Sequence, residues 1–119
     1  RGLRTLLIDL DPQANLTLGV GREWDDLPYG LERTLIDPAS APFTGLVRRI
    51  GELPLYLAPG SISLAQSESV LTQRGGAGYA LRHALEDARR GNLFDWVLID
   101  CPPSLGLLTQ NAIVASTHL

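Results

Sequence analysis

TLLIDLDPQ, residues 5–13, is a short apolar run that ends in two aspartates, Asp9 and Asp11, followed by a proline. Residues 3–10 are apolar with little alternation, the pattern of a strand covered on both faces in a parallel sheet. Pro12 ends the run, because the residue before a proline avoids the helical region. The same placement recurs at residues 94–100, FDWVLID, an apolar strand closed by Asp100. One strand-end aspartate is an ordinary turn former or helix cap. Two independent strands ending in acids point to a site, since ligands of open parallel sheets bind beyond the carboxyl ends of the strands.

Between these strands lies a third, residues 53–58 (LPLYLA), with Pro54 near its start, where proline is tolerated. Short helices are expected over residues 14–20, 30–36 and 44–50. Pro59-Gly60 turns the chain, and Ser61 or Ser63 is expected to cap a helix running to about Gln73. Residues 74–78, RGGAG, form a break. Residues 78–90 read as one amphipathic helix with Leu81, Ala84, Leu85 and Ala88 on one face, Arg89 and Arg90 at its negative end and Gly91 as its cap. A last helix covers residues 105–115. Strands alternating with helices predict an α/β fold, a mostly parallel sheet flanked by helices in three layers.

Composition narrows the function classes. The 119 residues are 45% hydrophobic and 19% charged, ordinary for a globular domain, and the net charge of −3 provides no overall basic field for nucleic acid. The single cysteine, Cys101, excludes an internal disulfide framework and fits a reducing compartment. No apolar run reaches the length of a membrane span. The chain has no methionine and no lysine; all its basic side chains are arginines. A mechanism that needs a lysine is therefore incomplete within these residues. The chain reads as one partial domain, residues 1–119, cut from a larger unit.

Asp9 and Asp11 share a side of the strand if it persists. Asp9, Asp11 and Asp100 at one edge repel each other unless a proton or a hard cation such as Mg²⁺ sits among them. Three chemistries use such acids. A haloacid-dehalogenase-type phosphatase would take Asp9 as nucleophile and Asp11 as acid/base. Gln13 stands where that motif has Thr or Val, and its later lysine is missing. A response-regulator receiver lacks its lysine here as well. The third is an ATPase in which WVLID is the Walker B strand that holds Mg²⁺. Pro102 and Pro103 after it fix two φ angles, which suits a switch loop held in one of two positions.

TLLIDLDPQANLTLGVG and FDWVLIDCPPSLGLLTQNAIVAS closely resemble the ParA/Soj family of partition ATPases, within the deviant-Walker, MinD-like group of P-loop proteins. LYLAPGSISLAQSE resembles that family's middle strand and helix, so the likeness runs from Arg4 to Ala115. The resemblance implies a Mg²⁺-ATP-dependent ATPase of chromosome or plasmid segregation. Asp11 would position or activate the attacking water. Asp9 would lie near the metal and its water shell, Asp100 would be the Walker B metal acid, and Pro102, Pro103 and Ser104 would form the switch loop. Asn111 falls in a segment near the dimer interface. ATP would join two copies into a dimer that binds DNA non-specifically, and a centromere-binding ParB-like partner would stimulate hydrolysis. The protein would be cytoplasmic and nucleoid-associated, with no membrane role. The alternative is a non-catalytic positioning scaffold of the same fold. The family's phosphate-binding loop, with two lysines, and its C-terminal DNA-binding part are not among these residues. Residues 1–119 alone are therefore expected neither to bind ATP tightly nor to hydrolyse it.

Of the remaining residues, Cys101 and Trp96 are expected in the core. His83 and His118 are expected at the surface, and Trp24 exposed in a polar loop. Arg48-Arg49 and Arg89-Arg90 read as solvated helix faces rather than a nucleic-acid stripe.

Overall fold

β1 (Thr5–Asp9) forms the centre of the sheet. In this computed structural model, which describes residues 3–19, 27–102 and 106–116 apart from the side chain of Asn15, β1 pairs in parallel with two neighbours. On one side is β3 (Leu55–Ala58), on the other β4 (Trp96–Asp100), with Leu7 facing Leu57 and Leu98 in register. β2 (Arg48–Arg49) runs antiparallel to β3, giving the order β2-β3-β1-β4. The mostly parallel sheet expected from the apolar runs is present. Trp24, Pro103, Ser104 and His118 lie outside the described residues.

The helices are α1 (Asn15–Gly19), α2 (Leu31–Ile36), α3 (Leu64–Thr72), α4 (Ala80–Ala84), α5 (Glu86–Arg90) and α6 (Leu107–Ala115). Leu6, Ile8 and Leu10 alternate onto one side of β1 and are fully buried. They join Leu31 and Leu35 of α2, Leu64 and Leu71 of α3, Leu81 of α4 and Leu108 of α6 in one core cluster. Fully burying a leucine-sized side chain contributes roughly 1.5–3 kcal/mol, so this cluster anchors β1 and fixes where its acidic end emerges. No helix among the described residues is long and apolar enough to cross a membrane.

Several local expectations are corrected. Residues 44–50 are not a helix: a 3-10 turn, Phe43–Leu46, leads into β2. Gly51, at φ +59°, supplies the left-handed residue that turns β2 back toward β3, and the Ile50 N–H donates to the Leu55 carbonyl at 2.7 Å. The Arg49 guanidinium lies over the Tyr56 ring, 5.9 Å from its centroid, so this arginine pair sits on a strand. Neither Ser61 nor Ser63 caps α3 through its side chain. Ser63 is the capping residue but has helical backbone angles, and the Ser61, Ile62 and Ser63 carbonyls take the N–H groups of the first turn.

The expected helix over residues 78–90 is broken into a 3-10 turn (Ala77–Tyr79), α4 and α5. Its bonds nearly continue across Leu85, which donates to Leu81 and accepts from Arg89, both at 3.0 Å. The expected buried face of Leu81, Ala84, Leu85 and Ala88 is correct, and His83 is exposed as expected.

Trp96 is not core. It is 56% exposed, and Leu98 on the same side is 54% exposed. Among the described residues β4 is an edge strand, paired on one side only. Between β4, α5 and the end of α6 the sheet leaves an apolar cavity of about 420 Å³.

The Asn111 side chain is fully buried within the domain. Its Oδ1 accepts the Leu81 N–H at 2.9 Å, and its Nδ2 donates to the Ala77 and Leu107 carbonyls, both at 3.0 Å. A buried amide satisfied on three sides locks α6 to α4, and losing it would strand a buried N–H at a cost of about 1–3 kcal/mol.

Candidate functional site

Asp9 and Asp100 are register partners across two parallel strands, so both acidic ends reach the same edge of the sheet. The Leu10 N–H donates to the Asp100 carbonyl at 2.8 Å and carries the ladder one residue past the paired aspartates. Pro12, which has no N–H, cannot continue it. The chain then reverses within a turn built on Asp11. The Asp11 Oδ1 accepts the Gln13 N–H at 2.9 Å, and its carbonyl accepts the Ala14 N–H at 2.8 Å. Ala14 takes φ +56°, a left-handed conformation that costs a residue with a Cβ about 1–3 kcal/mol. That strained residue swings α1 back over the end of β1.

Asp9 is fully buried, and its carboxylate ties three segments together. Its Oδ2 accepts two hydrogen bonds from Thr17 of α1, from the N–H at 2.8 Å and the hydroxyl at 2.6 Å. Its Oδ1 accepts the Asp11 N–H at 3.3 Å. The Thr17 hydroxyl in turn accepts the Gly60 N–H at 2.9 Å, tying in the segment after β3. Thr17 is itself buried. Gly60 sits so close that a Cβ there would come within 2.7 Å of the Asp9 carbonyl oxygen and 2.9 Å of its Cγ. Thr17 and Gly60 are absent from the sequence-based site. The only local signal was Pro59-Gly60 at a strand end, which reads equally well as a plain turn.

The other expected site residues fall as follows. Asp11 is buried beside Asp9, and Asp100 is exposed at the rim. Pro102 is half-buried, and its carbonyl accepts the Thr109 hydroxyl of α6 at 3.3 Å. Pro103 and Ser104 are outside the described residues. Cys101 is exposed, against the expectation of a packed thiol, because it follows the last residue of the edge strand β4.

Partial burial, and then the charges of Asp9 and Asp11, raise the Asp100 carboxyl above its ordinary pKa. A carboxyl with a raised folded pKa holds its proton more readily in the folded chain than in the unfolded one. Its contribution to stability is full in acid and is lost as pH rises through the raised value. Asp100→Asn is therefore expected to gain stability relative to the parent as pH climbs from the carboxylate range to neutrality. Urea midpoints of both proteins between about pH 4 and 7 check this, and a gap that does not widen with pH overturns it.

The donor set fits a hydrated divalent cation rather than a closed metal cage. Among the described residues no group of three or more His, Cys, Asp or Glu side chains could hold a metal ion. Mg²⁺ ordinarily takes one or two carboxylates and completes its shell with waters and phosphate oxygens. Asp100 at the rim, beside two further acids, matches that chemistry, and a cation there would relieve the repulsion that, after burial, adds to the rise of its pKa.

A mostly parallel sheet with helices packed on it, and acids at the carboxyl ends of adjacent strands, defines an α/β domain of the P-loop NTPase type. The family described as AAA domain matches residues 1–119. The sporulation initiation inhibitor protein Soj of Bacillus subtilis is 38% identical over 115 residues, which is 97% of this chain and 44% of Soj. The chromosome partitioning protein ParA of Caulobacter vibrioides is 40% identical over 116 residues, 97% of this chain and 42% of that protein. A crystal structure of cobyrinic acid a,c-diamide synthase from Mycobacterium smegmatis, with a bound ATP analog and magnesium, superposes at a TM-score of 0.84. It is 42% identical and covers 97% of this chain and 45% of that one. The chain belongs to the AAA-domain family and is similar to Soj and ParA over nearly its whole length. It spans less than half the length of the curated relatives it matches.

Proposed function

We propose that residues 1–119 are the central part of a ParA-like, Mg²⁺-ATP-dependent ATPase of chromosome or plasmid segregation. The observation that carries this is the register pairing of Asp9 with Asp100, with Asp11 at the same sheet edge. Bound Mg²⁺ would neutralise charge on the phosphates. Asp100 would hold that ion directly or through water, with Asp9 bordering its water shell while it holds Thr17. Asp11 would orient the attacking water, using the carboxylate oxygen not engaged by the Gln13 N–H. Pro102, Pro103 and Ser104 would form the switch loop that responds to the nucleotide.

The phosphate-holding loop would come from chain outside residues 1–119, because its lysines have no counterpart among them. The full-length protein would be cytoplasmic and nucleoid-associated. It would dimerise on ATP, bind DNA non-specifically and answer to a centromere-binding ParB-like partner. The chain's overlap with Soj and ParA supports this reading. The same site in an ATP-dependent amide synthase is the second reading, favoured by the identity to the Mycobacterium smegmatis protein. A non-catalytic scaffold would keep the fold without turnover.

Phosphate release by the full-length protein separates the three. The expected result is slow hydrolysis that needs Mg²⁺, rises with DNA and a ParB-like partner, and stops with EDTA. Turnover that requires a carboxylic acid and an amide donor selects the synthase. Tight nucleotide binding without any turnover selects the scaffold.

A further inference from the structure

The carboxylate pair is held by a residue that the reading above leaves without a role. Thr17 makes three hydrogen bonds in the site. Its N–H and hydroxyl both reach the Asp9 Oδ2, at 2.8 and 2.6 Å, and its hydroxyl oxygen takes the Gly60 N–H at 2.9 Å. The direction of each bond is fixed by chemistry. An amide N–H can only donate, so the hydroxyl accepts from Gly60 and sends its one proton to Asp9. Neither valine nor alanine can do both, and serine can.

We propose that Thr17 is a positioning residue for the acid pair, acting through Asp9. It fixes the Asp9 carboxylate between α1 and the segment after β3. The second oxygen of that carboxylate then holds the Asp11 N–H at 3.3 Å and with it the turn that aims Asp11. Two further features require such a tie. Ala14 is held in a left-handed conformation between Asp11 and α1, and strain of that kind persists only where surrounding bonds over-determine it. α1 is five residues long, too short to be stable by itself, so its placement depends on tertiary bonds.

This inference rests on the proposed ATPase reading for its catalytic arm, and on the fold alone for its structural arm. The test uses the full-length protein with Thr17→Val, which keeps the side-chain shape, and Thr17→Ser, which keeps the hydroxyl. Thr17→Ala replaces the valine variant should that variant misfold. Hydrogen exchange without nucleotide is measured over residues 9–19 and 57–61, and ATP turnover is measured in parallel. The expected result is exchange about tenfold faster in Thr17→Val, the order of one lost hydrogen bond, with kcat down about 10- to 100-fold and KM for ATP within threefold. Thr17→Ser should rescue both.

Unchanged exchange in Thr17→Val overturns the proposal. So does faster exchange with unchanged kcat, which would make Thr17 a structural peg only. A parent protein that hydrolyses no ATP instead overturns the ATPase reading, and the exchange comparison then decides the positioning of the acids alone.

Discussion

Asp11→Ala in the full-length protein is expected to lower ATP hydrolysis by about 10²- to 10³-fold, the usual scale for a residue that orients or activates a nucleophile. Nucleotide affinity should stay within a few-fold, because Asp11 is assigned to the water and not to the phosphates. The alanine variant also removes a structural bond, from the Gln13 N–H to the Asp11 Oδ1 at 2.9 Å. Asp11→Asn separates the two effects. Its amide oxygen can still accept that N–H and keep the turn, but it lacks the second carboxylate oxygen. If charge orients the water, both variants lose turnover alike. If the turn is what matters, Asp11→Asn keeps most of the rate. Single-turnover kinetics with excess enzyme read the chemical step directly, and rates within threefold of the parent in both variants would remove Asp11 from the mechanism.

Gly60→Ala is expected to be the most damaging small substitution in the described chain. Its Cβ would meet the Asp9 carbonyl oxygen at 2.7 Å, the Asp9 Cγ at 2.9 Å and the Asp11 carbonyl oxygen at 3.1 Å. Two of those three are backbone atoms of the central strand's exit, which cannot swing aside as a side chain can. Relief requires the segment after β3 to retreat, breaking the Gly60 to Thr17 bond and loosening both aspartates. A loss of about 1–3 kcal/mol follows from overpacking of this kind, and turnover should fall with it. Gly75→Ala is the control. Nothing lies within 4 Å of its Cβ position, so stability should stay within about 0.5 kcal/mol. Urea denaturation of the two variants and the parent checks both, and equal midpoints for Gly60→Ala and the parent would mean that β1 and the residue-60 segment do not meet as described.

The parts of this protein that are legible in its sequence are those whose cause is local. An apolar run closed by aspartate shows in consecutive residues, so β1, β4 and their acids are legible in the sequence itself. The spacing of Leu81, Ala84, Leu85 and Ala88 gave the buried face of α4 and α5 for the same reason. β2 was missed because a strand of two residues has no period to detect, and its existence depends on Tyr56 and Leu57 lying opposite. Thr17 and Gly60 were missed because the bond between them joins residues 43 apart, and neither residue type is unusual where it stands. Trp96 was misplaced because apolarity records only that a side chain prefers cover. Whether cover exists depends on the sheet order, which leaves β4 at the edge.

That uncovered strand bears on how the 119-residue chain will behave in a tube. Trp96, Val97 and Leu98 lie exposed along an edge strand of high β-propensity. The flanking carboxylates Asp95 and Asp100 are the only charges within that strand's reach along the sequence, and Asp95 is already paired with Arg4 at 3.3 Å. Edge strands of this kind recruit one another, so the isolated chain is expected to associate through β4 as its concentration rises.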